Sequence, residues 1–87
     1  MPIVFIPSPM RDLSQGVAQV EVTAKTLGEV IQRLEELYPG MRDRLCQGDK
    51  LRDSIQAAVD GAMMQRRLQT PVSEKGEVHF LPAIGGG

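Results

Sequence analysis

The hydrophobic pattern opens with one short block, Ile3-Val4-Phe5-Ile6, closed by Pro7 and Pro9. Proline cannot donate to a central β-ladder, so the block reads as a first strand that stops there. Ala18, Val20 and Val22 alternate with Gln19 and Glu21. That period of two predicts a strand over Val17 to Val22 with one wet face, joined to the first strand through the turn or loop Arg11 to Gly16. Thr26-Leu27-Gly28-Glu29 then has the form of a capping box, in which the Thr hydroxyl accepts from the Glu29 N–H and the Glu carboxylate reaches back. Leu27, Val30, Ile31, Leu34 and Leu37 follow at helical spacing, with Glu29, Gln32, Arg33, Glu35 and Glu36 on the other faces. The prediction is one amphipathic helix from about Thr26 to Tyr38, ended by Pro39-Gly40.

Met41 to Cys46 reads as a short helical turn and Gln47-Gly48-Asp49-Lys50 as a polar loop. Ile55, Ala57 and Val59 form the next alternating run, and Asp60-Gly61 supplies residues that tolerate positive φ in a tight hairpin turn to a strand beginning near Ala62-Met63-Met64. Val78 and Phe80 alternate with His79 and Leu81 in a last strand that runs out at Pro82. Hairpin, helix, then further strands is the order of an α+β fold of the β-grasp type, a mixed sheet with one long helix packed across it. Residues 1–82 form that domain, and 83–87 are expected to be a flexible tail.

An 87-residue chain with 41% hydrophobic residues supports one core and leaves little room for a deep pocket, which favours a binding or carrier module over a free-standing enzyme. The charges balance to −1 and there are only two Phe, one Tyr and no Trp, a poor composition for nucleic-acid binding. The N-terminal apolar run lacks a basic n-region and is too short for a signal peptide or membrane span, so the expected location is the cytoplasm, with no membrane partner. One cysteine and one histidine, Cys46 and His79, do not make a closed metal site without further ligands, so no metal is assigned. Cys46 reads as a small hydrophobe, His79 as a sheet-surface residue, Met41, Met63 and Met64 as packing or contact residues, and Arg52, Arg66 and Arg67 as solvated cations able to attract an acidic surface.

The chain closes on Ala83-Ile84-Gly85-Gly86-Gly87. Glycines after a strand let the backbone pass through a slot too narrow for side chains and approach a bound nucleotide. The group so delivered is the Gly87 carboxylate. Adenylation by ATP would make it an electrophile, and attack by a sulfur nucleophile would leave a thiocarboxylate.

On these residues the chain resembles the ThiS/MoaD-type sulfur carriers, which are ubiquitin-like. The resemblance covers most of the chain. It is strongest from Gly76 through Val78, Phe80, Pro82 and Ile84 to Gly86-Gly87, and in Thr26 to Ile31 and Leu34 to Gly40. The helix segments, with Leu45 and Leu51-Arg52, are most similar to the longer carriers of molybdopterin or cysteine biosynthesis. Gly85 departs from the pattern as a third glycine.

The resemblance implies a non-enzymatic carrier that holds no cofactor, ATP being consumed by a ubiquitin-activating-type adenylyltransferase. A rhodanese or other persulfide enzyme would supply sulfur. The acceptor would be a cysteine-synthase-like enzyme or the large subunit of molybdopterin synthase, with a metallopeptidase where a relative carries an extension after Gly-Gly. Gly87 is the expected reactive residue, and Phe80, Leu81, Pro82, Ile84, Gly85 and Gly86 the expected partner contacts. Two other readings stand beside it: a protein modifier joined through Gly87 to lysines, and an interaction domain with an unreactive tail.

Overall fold

The computed structural model describes residues 1–65 and 67–82, without the side chains at 63–65 and 82. Arg66, the side chains of Met63 and Met64, and the closing segment 83–87 therefore lie outside the described residues. The strands are β1 (Ile3–Phe5), β2 (Gln19–Glu21), β3 (Cys46–Gln47), β4 (Lys50–Leu51), β5 (Ile55–Val59), β6 (Ala62–Gln65) and β7 (Glu77–Pro82). The helices are α1 (Leu27–Leu37) and α2 (Met41–Leu45), and a 3-10 turn spans Ser8–Met10. Five strands form one mixed sheet in the order β2-β1-β7-β5-β6. β1 runs parallel to β7, with Val4 opposite Val78, and antiparallel to β2, with Val4 opposite Val20. β5 pairs antiparallel with β7 on one side and β6 on the other. This is the β-grasp arrangement predicted from the element order.

The core lies between the sheet and α1. Val4, Val78, Ala57 and Phe80 pack from the sheet, and Leu27, Val30, Ile31 and Leu34 from the helix. Those four helix side chains are essentially inaccessible. At about 1.5–3 kcal/mol each they contribute far more than the roughly 1 kcal/mol of an N-cap, so packing holds α1 in place and the cap sets where it starts. Thr26 is that cap, its Oγ1 accepting from Glu29 N at 3.2 Å. The Glu29 carboxylate reaches back one residue further than the predicted box, accepting from Lys25 N at 3.0 Å.

The first-turn donors are taken by another part of the chain. Leu27 N donates to Thr70 O and Gly28 N to Leu68 O, at 2.9 and 2.8 Å. A Cβ at Gly28 would stand 3.2 Å from both the Cβ and the carbonyl oxygen of Leu68, so glycine permits this close approach.

Three expectations change. Leu37 is 52% exposed. At 100° per residue it falls about 70° from the centre of the buried stripe, whereas Tyr38 falls about 30° from it and packs against the core. Ala18 is exposed, and β2 is shorter than Val17 to Val22, although Ala18 O still accepts from Ile6 N at 2.8 Å. The polar stretch after α2 is a small hairpin, β3 with β4, turning through Gly48 at φ 68°. Its two-residue strands are too short to show alternation, and only Cys46 and Leu51 point inward.

Glu35, on α1, joins the two helices. Its carboxylate accepts from Gly40 N at 3.2 Å and Arg42 N at 2.9 Å, closing the start of α2. These backbone donors, chiefly Arg42 N, hold the carboxyl pKa below its ordinary value. A depressed carboxylate pKa gives stability that is present above the ordinary carboxylate range and is lost as pH falls through the folded-state value. Glu35→Gln should therefore differ most from the parent near neutrality and converge with it in acid. Urea denaturation at about pH 7 and about pH 3 checks this, and an equal gap at both pH values would contradict it.

The β5–β6 turn is tight as predicted, with Asp60 at φ 52° and Gly61 at φ 86°. Asp60 also organises the start of β7. Its Oδ2 accepts from Ser73 N at 3.0 Å and its Oδ1 from Glu77 N at 3.1 Å, while its own N–H donates to Glu77 O at 2.9 Å. A Cβ at Gly76 would collide with the Asp60 carboxylate, which accounts for that glycine. Asp60→Ala should lower stability by about 2–3 kcal/mol, through lost charge-assisted bonds and strain at positive φ. Asp60→Gly also lacks the carboxylate but avoids the strain of alanine at positive φ, so it should be less destabilised than Asp60→Ala. Denaturant midpoints of the two variants separate these contributions, and two unchanged midpoints would refute the role.

Candidate functional site

The predicted working end begins with β7. Its first half is held from both sides: Glu77, Val78 and His79 face Ile3, Val4 and Phe5 of β1, and Val78 and His79 also face Val59 and Ala58 of β5. Pro7 follows soon after β1 ends, and the chain turns into the 3-10 segment. Phe80, Leu81 and Pro82 are consequently paired only with β5, opposite Ala57, Gln56 and Ile55. The second half of β7 is thus held by one ladder, up to its last described residue.

The three described members of the predicted contact set differ in setting. Phe80 points inward and is 4% exposed, so its ring belongs to the core. Leu81 is half-buried. Pro82 supplies the last backbone position of the strand. Ile84, Gly85, Gly86 and Gly87 lie outside the described residues.

Beside this exit is a shallow apolar groove of about 390 Å³ lined by Pro7, Ser8, Pro9, Met10, Ser54, Ile55, Phe80 and Leu81. Sequence reasoning missed the Pro7–Met10 wall. Pro7 and Pro9 were visible as strand breakers, but their closeness to Leu81 follows only from the parallel pairing of β1 and β7.

On the sheet face opposite the core, the His79 ring stacks on Phe5, with centroids 4.1 Å apart and planes within 7°. His79 Nε2 lies 3.0 Å from Glu77 Oε1. The stack is partly exposed, with Leu81 two positions along the same strand face. Ala58, opposite His79, is buried.

Cys46 sits elsewhere, at the start of β3, buried and free. Burial pushes its thiol pKa up, against the smaller opposing effects of Arg42 and Arg52, which favours the unreactive neutral form. Among the described residues there is no group of three or more His, Cys, Asp or Glu able to hold a metal ion. None of the described helices is long and apolar enough to cross a membrane. What the described part of the site offers chemically is a rigid exit strand, an apolar groove and an aromatic surface, all suited to contact.

Known proteins share this arrangement. The sulfur carrier protein CysO of Mycobacterium tuberculosis is 32% identical over 89 aligned positions, covering 97% of this chain and 96% of that protein. A chain in the crystal structure of the Amycolatopsis orientalis BexX/CysO complex superposes with a TM-score of 0.89 at 28% identity, covering 100% of both chains. SAMP1 from Haloferax volcanii shares the fold at a TM-score of 0.67 and 19% identity, covering 98% of this chain and 97% of its own. A family model described as the ThiS family matches residues 4–87. With that match running from β1 through the final glycines, the chain belongs to the ThiS family.

Proposed function

We propose that this chain is a cytoplasmic sulfur carrier whose Gly87 carboxylate is adenylated by an ATP-dependent partner and converted to a thiocarboxylate. The observation that carries the reading is the family match through Gly86-Gly87, on a fold whose exit strand leads directly to that segment. Residues 83–87 act as the tail that enters the partner's nucleotide site. The domain is a co-substrate and the partner the enzyme.

In the first step a carboxylate oxygen of Gly87 attacks the α-phosphorus of ATP and pyrophosphate leaves. In the second, a sulfur nucleophile attacks the acyl carbon and AMP leaves with the C–O electron pair. Hydrosulfide gives the thiocarboxylate directly, with loss of a proton. An enzyme persulfide gives an acyl disulfide, which a second thiol of the donor cleaves, releasing the thiocarboxylate and leaving the donor as a disulfide. Of the two acceptor classes, the similarity to CysO supports a cysteine-synthase-like enzyme over molybdopterin synthase. The complex in which a related chain was crystallised supports action through partners.

Incubation with the cognate adenylyltransferase, ATP and a sulfur source should raise the intact mass by about 16 Da, one oxygen exchanged for sulfur. Deleting Gly87 should abolish the gain without unfolding the domain. An active system that leaves the mass unchanged would defeat the proposal, and lysine-linked adducts would favour the modifier reading.

Of the expected contacts, Phe80 is committed to the core, so Leu81 to Gly87 should supply the main docking contacts. Ile84→Asp is therefore expected to weaken adenylyltransferase binding at least tenfold, a loss of about 1.4 kcal/mol, with the melting temperature unchanged. Calorimetric titration measures it, and equal affinity would remove Ile84 from the interface.

A further inference from the structure

The ladder between β1 and β7 stops for a chemical reason. Ile3 N donates to Gly76 O at 3.0 Å, and Asp60 N to Glu77 O at 2.9 Å. These bonds set the phase of β7: Glu77, His79 and Leu81 turn their backbone groups towards β5, and Gly76, Val78 and Phe80 turn theirs towards β1. With Phe5 opposite His79, the next donor of the parallel ladder, the one for Phe80 O, would be the N–H of residue 7. Residue 7 is proline and has none. Pro7 is still extended, at φ −62° and ψ 146°, so the rung is lost through the missing donor before the chain turns away. Pro82 lacks the donor for the rung after it.

The carbonyls nearby have donors. Ile6 O accepts from Arg11 Nε at 3.0 Å, Pro7 O from Met10 N at 2.9 Å and Pro9 O from Arg44 Nη1 at 3.4 Å. Among the described residues Phe80 O has no such donor. It faces the groove, whose Pro7–Met10 wall stands where β1 would have continued. The eight residues lining the groove are all uncharged. A charged occupant would lose hydration against these walls, and a purely aliphatic one would strip water from Phe80 O without replacing its hydrogen bond. An aromatic ring with a neutral donor, the indole N–H of Trp or the phenol O–H of Tyr, meets both demands.

The tail says where that ring comes from. The five residues from Ala83 to Gly87 span at most about 18 Å. An enzyme that encloses the Gly87 carboxylate therefore brings its surface to within that distance of Pro82, and the groove borders Leu81, the residue before it.

We propose that the groove between Leu81 and the Pro7–Met10 wall receives an aromatic anchor, Trp or Tyr, from the enzyme that adenylates Gly87, with Phe80 O accepting its hydrogen bond. This rests on the sulfur-carrier reading. Pro7 keeps the acceptor available by withholding the internal donor that would otherwise occupy it.

Two substitutions test this from opposite sides: Pro7→Ala returns the donor, and Ser54→Phe fills the groove. Each full-length variant is compared with the parent in steady-state adenylation by the cognate enzyme, read by ATP–pyrophosphate exchange. Pro7→Ala should raise KM for the carrier about threefold and Ser54→Phe at least about tenfold, with kcat at saturating carrier unchanged. Neither melting temperature should fall. In Pro7→Ala the new amide at position 7 should exchange slowly with deuterium, because the missing rung has formed. If filling the groove impairs folding, Pro7→Ala carries the test alone. A freely exchanging amide at position 7, the parent's KM in either folded variant, or a loss confined to kcat would overturn the anchor site while leaving the carrier reading intact. A parent that is itself not adenylated would overturn the carrier reading and the anchor site together.

Discussion

The parallel pairing of β1 with β7 places the beginning and the end of the domain side by side in the middle of the sheet, with Val4 facing Val78 and both fully buried. Adjacent parallel strands need a long crossover, and here nearly the whole chain is that crossover. Closing so long a connection costs entropy that grows only slowly with length, and the burial of α1 against the strands offsets it. Loss of this central pair would separate β2 from the rest of the sheet and leave β7 held by β5 alone. The rigidity of the exit strand therefore derives from residues at the opposite end of the sequence.

Contacts far apart in the chain reinforce that pair. Asp60 ties the β5–β6 turn to the start of β7, while Leu68 and Thr70 tie the following loop to the start of α1. Glu35 fastens α2 to α1, and Met41, Leu45 and Leu51, each essentially inaccessible, seal the core beneath the β3–β4 hairpin. Apolar burial supplies the magnitude, and the polar ties determine which backbone segments lie together.

Much of this could be read from the residues because it depends on local periodicity or local backbone chemistry. Thr26 and the spacing from Leu27 to Leu34 located α1, Asp60-Gly61 located a hairpin turn, and the alternation around Val78 and Phe80 located β7. The β3–β4 hairpin escaped because two residues cannot display a period. Leu37 was misplaced because helical spacing alone does not say where a buried stripe ends. The place of Leu81 and Pro82 at the end of β7 was legible in the sequence pattern. The groove wall at Pro7–Met10 and the Phe5–His79 stack were not, because both depend on a pairing between residues more than seventy positions apart.

The way β7 leaves the sheet also has a mechanical consequence. A pull on the closing segment acts along the strand axis, nearly at right angles to the bonds joining β7 to β1 and β5. These bonds are loaded in shear, sharing the force, and do not open one at a time as a zipper would. Among the described residues Leu81 and Pro82, bound on one side, are the easiest to peel back, whereas Phe80 is held by its buried ring. The domain thus combines a short compliant leader with a stiff anchorage, so that traction on the tail extends the leader before it disturbs the core.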